Sequence, residues 1–209
     1  MATLLHVQAS PRKELSYSLR AAEAFLESYR QSHPGDTVKT VDVFDWSMAE
    51  FGALQVAAKY RILHGEKATD EEKRAWQEVE GAIATFKGAD KYVISSAMWN
   101  FGIPYALKKY IDILVQPTYT FSYSPAEGYK GLVTGKPALL ILARGGQYVP
   151  GTDGEAYDHQ KPYLELILGF MGFTNTSSIV IEPTLQGRDV AAQKLAAAIS
   201  LAREKARTF

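Results

Sequence analysis

The fold of this chain is decided by the stretch Tyr92-Val93-Ile94-Ser95-Ser96-Ala97-Met98-Trp99-Asn100-Phe101-Gly102-Ile103-Pro104. An apolar run leads into a polar turn, and a proline then starts a helical pattern. In an open α/β sheet, such a turn lies beyond the carboxyl end of a strand, where ligands bind. The side-chain amide of Asn100 and the backbone groups of the turn suit the edge of a planar heterocycle. An ordinary loop has the same local pattern, so the rest of the chain must decide.

Five short apolar runs have the length and composition of buried strands, and helical patterns separate them. The runs cover residues 4–7, 38–43, 92–95, 138–143 and 178–181. Nearly continuous aliphatic strands are typical of a parallel sheet that is covered on both faces. Helices are predicted over residues 16–31, 69–86, 104–115, 154–171 and 188–207, with Thr69 and Glu72 forming a capping box. We therefore predict an α/β fold with a doubly wound parallel sheet of five strands.

Two stretches interrupt this alternation, residues 44–67 and 116–136. The first contains a predicted short helix over residues 54–63. The second is rich in aromatic and turn-forming residues, which suits either a pocket lining or a subunit contact. Repeats, linkers and low-complexity segments are absent from the sequence, so we expect a single domain over residues 1–209.

The composition describes a soluble globular chain, with 46% hydrophobic and 22% charged residues among 209. Its apolar runs are far shorter than the roughly 18 to 20 residues of a membrane-spanning helix, and its first residues lack the layout of a signal peptide. We therefore expect a cytoplasmic protein. The sequence has no cysteine, which excludes disulfides, thiolate nucleophiles and iron-sulfur ligation. Redox chemistry here would need an organic cofactor.

The charges disfavour nucleic acid as a partner. Lysine plus arginine equals aspartate plus glutamate at 23 each, so the chain lacks the basic excess that phosphate-backbone binding requires. A metal site is also disfavoured, because the histidines are scattered singly rather than at helical spacing: His6, His33, His64 and His159.

Hydroxyl side chains follow the first predicted strand, at the start of a helix. Ser10, Ser16 and Ser18 lie there, with Arg12 and Lys13 nearby. Free backbone N–H groups and the positive end of the helix dipole favour a phosphate. The turn lacks the glycine patterns of dinucleotide and triphosphate sites, so a monophosphate fits best. The alternative is that Ser16 only caps the helix.

Paired glycines follow the fourth predicted strand, in Ala143-Arg144-Gly145-Gly146-Gln147-Tyr148. Because they have no side chains, the backbone can approach a flat ring closely. A plain turn is the alternative. The loops after strands one, three and four fall at the same edge of the sheet, and this favours a binding site.

Several motifs together resemble the FMN-dependent NADH azoreductases, which are also NADH:quinone oxidoreductases. They are Ser10 with Ser16-Tyr17-Ser18, Met98-Trp99-Asn100-Phe101, the segment 131–136, Arg144-Gly145-Gly146 and the segment 168–172. The similarity covers nearly the whole chain. It implies a flavodoxin-like fold, a homodimer, FMN as cofactor, NADH as electron donor with NADPH as the other candidate, and quinone, azo or nitroaromatic acceptors.

The resemblance also implies roles for individual residues. Ser10 and the segment Ser16, Tyr17 and Ser18 would hold the FMN phosphate. The isoalloxazine would contact Met98, Trp99, Asn100 and Phe101 on one side and Ala143, Arg144, Gly145 and Gly146 on the other. The family commonly has tyrosine at the position of Trp99 and a small hydroxyl residue at that of Ala143, so these two positions bear on substrate preference.

The flavin would carry the chemistry, so no catalytic side chain is required. Trp99, Tyr123 and Tyr148 are predicted to contact the acceptor, although aromatic packing at a loop or dimer contact is the favoured interpretation of both tyrosines. The apolar helix over residues 154–171 is either deep core or partly a dimer face, and His159 is expected to be a solvated residue of it. A flavodoxin-type electron carrier, a redox-sensing module and an acyl carrier protein phosphodiesterase remain as alternative functions.

Overall fold

The structure, a computed structural model, describes residues 1–45 and 47–209. Strands and helices alternate along most of the chain. In chain order they are β1 (Thr3–Ala9), α1 (Tyr17–Ser32), β2 (Thr37–Asp42), α2 (Ala53–Leu63), α3 (Asp70–Lys87), β3 (Lys91–Ala97), α4 (Tyr105–Leu114), β4 (Phe121–Ser124), β5 (Gly128–Gly131), β6 (Pro137–Ala143), α5 (Lys161–Met171), β7 (Asn175–Ile181) and α6 (Arg188–Ala206).

The central sheet has the strand order β2-β1-β3-β6-β7, and every pairing among its five described strands is parallel. The predicted α/β fold with a five-stranded parallel sheet is therefore confirmed. The register pairs Ala9 with Ser96 and Ala97 with Ala143. Since parallel strands end at the same edge, the loops after β1, β3 and β6 lie side by side.

The core lies on both faces of this sheet. Alternate residues of a strand point to opposite faces, so Leu4 and Leu139 pack with α1 and α6, while Leu5 and Leu140 pack with α3, α4 and α5. All four leucines are fully buried. This explains the nearly continuous aliphatic runs in the sequence, because both kinds of position need an apolar side chain.

The two outer strands have a more polar sequence than the three inner ones. In β2, Thr37, Lys39 and Thr40 are exposed. β7 begins at Asn175 and continues with threonine and serine before its apolar end. The predicted strand over residues 178–181 covered only that apolar end, because a polar outer strand lacks the aliphatic signal.

Two local predictions in the α3 region are confirmed. The backbone N–H of Glu72 donates to Thr69 Oγ1 at 3.2 Å, and the Thr69 N–H donates to Glu72 Oε2 at 2.7 Å, which completes the capping box. The short helix predicted over residues 54–63 is α2.

No helix within residues 1–45 and 47–209 combines the length and apolarity needed to cross a bilayer.

The prediction of one helix over residues 154–171 is wrong at its start. The segment forms a short 3₁₀ turn, Glu155–Tyr157, and α5 begins only at Lys161. One cause is Asp158, whose Oδ1 accepts the N–H groups of Gln160 and Lys161, both at 3.1 Å, and so favours a turn just before the later start. His159 consequently lies in an exposed connection rather than in a helix.

The second interrupting stretch contains an antiparallel hairpin, β4–β5, that the sequence pattern did not reveal. It is held against the end of α5 by a contact between two backbones. A Cβ built on Gly131 would lie 2.3 Å from the backbone nitrogen of Gly172 and 2.4 Å from the carbonyl carbon of Met171. Gly131 therefore allows the hairpin to approach closely, since no side chain fits in that space.

We predict that Gly131→Ala lowers the free energy of unfolding by about 2 to 3 kcal/mol, the cost of overpacking a filled contact. Gly81→Ala is the matched control, because nothing lies within 4 Å of a Cβ built at that helical position. The control should raise the free energy of unfolding by about 0.5 to 1 kcal/mol. Urea denaturation of both variants measures the difference, and equal stabilities would contradict the role of the Gly131 contact.

Candidate functional site

An open cleft lies at the carboxyl edge of the sheet, where the three predicted loops meet. Residues from four strand-end loops line it: Ser10, Arg12, Ser16 and Tyr17 after β1; Ala97, Met98 and Trp99 at the end of β3; Ala143, Arg144 and Gly145 at the end of β6; and Thr184 and Leu185 after β7. The structure thus brings together residues that lie far apart in the sequence.

The end of the cleft beside α1 is polar and suits an anion. Ser16 is the N-cap of α1, and its Oγ accepts the N–H of Leu19 at 3.4 Å. The Ser18 hydroxyl is buried and lies 3.1 Å from that of Ser16. The N–H groups of the first helical turn have no preceding carbonyl to bond, and they and the helix dipole favour negative charge here. Ser16 therefore combines the capping role with a position in the cleft wall.

A tight turn after β3 carries Asn100. Trp99 and Gly102 exchange two backbone hydrogen bonds, at 3.0 and 2.9 Å. Between them, Asn100 and Phe101 have φ values of 46° and 69°. A type I′ turn needs positive φ at both central positions, which asparagine tolerates but phenylalanine rarely adopts. Such local backbone strain persists only where surrounding contacts hold it, and it is concentrated at functional sites.

Contacts with Tyr148, with Tyr157 of the 3₁₀ turn and with His159 hold Phe101 in this conformation. Its carbonyl accepts the N–H of His159 at 2.9 Å. Its ring lies 5.0 Å from that of Tyr157 and 6.3 Å from that of Tyr148, measured between centroids. Residues 157 and 159, which were expected to be helical, therefore stabilise the turn that carries Asn100.

The guanidinium of Arg144 does not face the cleft. Its side chain is only 2% exposed, with Nη2 2.9 Å from Asp158 Oδ2 and Nη1 3.4 Å from Glu182 Oε2. The Nε group donates to Gln160 Oε1 at 3.1 Å. The guanidinium is thus held away from the cleft, and only the backbone of Arg144 is left to contact a ligand, so its predicted ring contact would have to come from backbone groups.

This buried charge fixes the loop that follows β6. Thr184 donates to the Arg144 carbonyl through its N–H at 3.0 Å and its hydroxyl at 2.9 Å. Glu182 Oε2 also accepts the N–H of Tyr148, at 3.3 Å. A Cβ on Gly145 would lie 2.7 Å from Leu185 Cδ1, so a side chain there would displace Leu185 from the cleft wall.

We predict that Arg144→Met lowers the free energy of unfolding by about 3 to 5 kcal/mol, because it leaves the largely buried carboxylates of Asp158 and Glu182 without their cation. Arg12→Met is the control, since Arg12 is exposed in the same cleft and should cost less than about 1 kcal/mol. Denaturation curves give both values. Adding Asp158→Asn and Glu182→Gln to Arg144→Met should recover part of the loss; no recovery would contradict the charge-pair explanation.

Several residues predicted for the site lie near the cleft without lining it in this chain: Asn100, Phe101, Gly146 and Tyr148. Tyr123 lies on the hairpin, where it is 62% exposed and its ring packs 4.9 Å from that of Tyr129. Sequence reasoning gave no role to Thr184 and Leu185. Their position could have predicted a role, because they follow the fifth strand at the same edge of the sheet.

Comparison with known proteins agrees with this architecture. A family model described as a flavodoxin-like fold matches residues 2–206. Over 210 residues, covering all of both chains, the sequence is 48% identical to an FMN-dependent NADH:quinone oxidoreductase of Nitratidesulfovibrio vulgaris. The chain belongs to this oxidoreductase family. The resemblance inferred from the sequence motifs is thereby confirmed, and with it the assignment as an enzyme.

Solved structures of azoreductases have the same fold as this family member. An azoreductase from Bacillus anthracis strain Sterne superposes with a TM-score of 0.91 at 33% identity, over 100% of both chains. An FMN-dependent NADH-azoreductase from Bacillus anthracis strain Ames Ancestor, in complex with FMN, gives a TM-score of 0.90 at 26% identity, over 99% and 98% of the two chains.

Proposed function

We propose that this chain is a single FMN-binding domain that uses NADH to reduce quinones and azo compounds by two electrons. The observation that carries the proposal is the cleft itself, which runs from the start of α1 to Trp99 and Gly145. It has a polar end and an apolar end, as a flavin monophosphate requires, in a chain nearly half identical to a named FMN-dependent NADH:quinone oxidoreductase.

The side chains of the cleft fit FMN by chemistry. At the polar end, the hydroxyls of Ser10 and Ser16 and the backbone N–H groups of Tyr17 and Ser18 are suited to phosphate oxygens. At the other end, Met98, Trp99 and Leu185 offer apolar surface to a ring system. Ala143 and Gly145 add little or no side chain, which leaves room for the ring.

The proposed site must also stabilise negative charge on the flavin ring. We assign the backbone N–H groups of Gly145 and Gly146 to the pyrimidine edge, where donors favour negative charge. The Asn100 amide is assigned to the same ring, because an amide both donates and accepts. When bound, FMN supplies the redox chemistry, accepting hydride from the nicotinamide and passing two electrons to the acceptor.

The proposed kinetic scheme is ping-pong, because one open cleft serves both substrates. NADH would bind and leave before the quinone, azo or nitroaromatic acceptor enters. We also propose that Tyr148 and Tyr123 contact the acceptor, and that each cleft receives Tyr123 from the partner subunit of a dimer. NADH rather than NADPH as donor and a cytoplasmic location are also part of the proposal, and both rest on the family resemblance and the composition.

We also propose that the chain forms a homodimer, because one of its surfaces is unusually apolar. Tyr123, Tyr129 and Leu166 are 62%, 66% and 70% exposed. The Tyr129 ring lies 5.4 Å from that of Phe170 in α5, so the hairpin and α5 present one continuous patch. Exposed apolar patches of this kind mark protein contacts.

Spectroscopy of the purified protein tests the proposed function. The protein should bind FMN, lose its yellow absorbance on anaerobic addition of NADH, and regain it on addition of a quinone. Initial rates at several fixed NADH concentrations should give the parallel double-reciprocal lines of a ping-pong scheme, and sedimentation should give a dimer. An electron carrier would take up FMN without being reduced by NADH, and failure to bind FMN would refute the proposal.

Asn100→Gly tests the assignment of the amide. Glycine adopts positive φ freely, so this change removes the amide while keeping the turn. We expect FMN affinity to fall about tenfold, the effect of one lost hydrogen bond to a buried partner. Asn100→Ala serves as the comparison, because it also strains the turn and should bind FMN more weakly still. Unchanged FMN affinity in Asn100→Gly would remove Asn100 from the ring contacts.

A further inference from the structure

A second cleft lies at the same edge of the sheet, on the far side of Trp99 from the cleft assigned to FMN. We call it the Tyr105 cleft. It encloses about 250 Å³ between the loop after β1, the end of β2 and the start of α4. Its lining residues are Pro11, Val43, Phe44, Asp45, Glu50, Tyr105, Ala106 and Lys109.

Three aromatic rings separate the two clefts. Phe44 lies 5.7 Å from Trp99 and 5.8 Å from Tyr105, and Trp99 lies 6.1 Å from Tyr105, all between ring centroids. Phe44 and Tyr105 line the Tyr105 cleft, while Trp99 lines the FMN cleft. Contacts between aromatic rings therefore connect Trp99 in the FMN cleft with Phe44 and Tyr105 in the Tyr105 cleft.

Phe44 packs partly against the core, but core packing does not account for Tyr105 and Trp99. Tyr105 is 69% exposed and Trp99 is 37% exposed. Tyr105 is the first residue of α4, a position that needs no aromatic side chain. Exposed aromatic surface beside a cleft is suited to stacking with a planar ring. The volume is below the roughly 300 Å³ at which pockets for whole ligands begin, so the Tyr105 cleft suits one part of a larger molecule.

The charges of the cleft select among aromatic ligands. Asp45 and Glu50 contribute two carboxylates and Lys109 one ammonium group, with Lys109 Nζ 3.1 Å from Glu50 Oε1. The N–H of Ser47 donates to Asp45 Oδ1 at 2.9 Å and holds the pKa of Asp45 below its ordinary value. The cleft therefore carries net negative charge, which opposes an anionic substituent on the ligand.

We propose that the Tyr105 cleft binds the ring of an extended aromatic electron acceptor that lies farther from the flavin. The proposal deepens the function proposed above and rests on it. The favoured acceptors are planar, have two fused or linked rings, and carry no anionic group on the outer ring. Tyr105 and Phe44 then determine specificity, since they contact the part of the acceptor that is not reduced.

Equilibrium binding to the oxidised holoenzyme, without any electron donor, provides the test. Menadione, a neutral two-ring quinone, is titrated while Trp fluorescence or heat is followed. Tyr105→Ala should weaken its binding about 3- to 10-fold, the effect of losing one aromatic contact. Tyr105→Phe should bind menadione as the unchanged protein does. Binding of 1,4-benzoquinone, which has one ring, should be the same in all three proteins.

Charge selection is tested with Glu50→Gln and an anionic two-ring quinone, 1,2-naphthoquinone-4-sulfonate. Removing the carboxylate frees the Lys109 ammonium from its partner, so we expect several-fold tighter binding of the sulfonate and little change for menadione. Leu201→Ala is the control, because Leu201 is a 40% exposed apolar residue of α6 outside both clefts. It should leave both affinities unchanged.

The outcomes separate this inference from the proposed function. If FMN uptake and flavin reduction by NADH are normal but Tyr105→Ala does not change menadione binding, only the proposal for the Tyr105 cleft is overturned. An altered sedimentation coefficient of Tyr105→Ala with unchanged menadione affinity also overturns it, because the rings would then contact a second copy of the chain. Failure of the unchanged protein to take up FMN overturns both proposals before any quinone is added.

Discussion

Parallel hydrogen bonding between β1, β3 and β6 is the constraint on which the rest of this structure depends. The register that pairs Ala9 with Ser96 and Ala97 with Ala143 ends three strands at one level of the sheet. Ser10, Met98 and Arg144 follow those ends directly, so their loops meet without any direct link in sequence. A helix covers each crossover, because parallel strands cannot be joined by tight turns. The site is thus a consequence of the sheet, and each loop needs only a short segment to reach it.

A rigid charge cluster and a strained turn stabilise opposite walls of the cleft. Arg144 is removed from water, which is costly, and the cost is offset only because two carboxylates and Gln160 surround it. Beside the cleft, Phe101 keeps a positive φ because His159 donates to its carbonyl and Tyr157 packs against its ring. Both arrangements use residues 155–160. One short connection before α5 therefore supports both sides of the proposed flavin site.

The features predictable from the sequence were those with a local cause. Aliphatic runs identified the inner strands, the pairing of Thr69 with Glu72 identified a helix start, and strand-end positions identified most of the cleft. The failures have long-range causes. The sequence did not reveal that the Arg144 side chain pairs with Glu182, 38 residues away. The position of the hairpin depends on the contact between Gly131 and the end of α5. The apolar residues of 154–171 gave no sign that the first part of that segment is not an α-helix.

The polar outer strands have a consequence for behaviour at high concentration. An unpaired strand edge offers hydrogen-bonding groups to any other extended chain, and this is a common route to fibrils. In β2, a second strand would have to pair beside the exposed Lys39 and desolvate its charge. β7 presents Asn175 and hydroxyl side chains at the opposite edge. Growth of the sheet from one molecule into the next is therefore opposed at the β2 edge, and the large exposed apolar side chains of the described residues lie on helices, loops, the hairpin and the chain start.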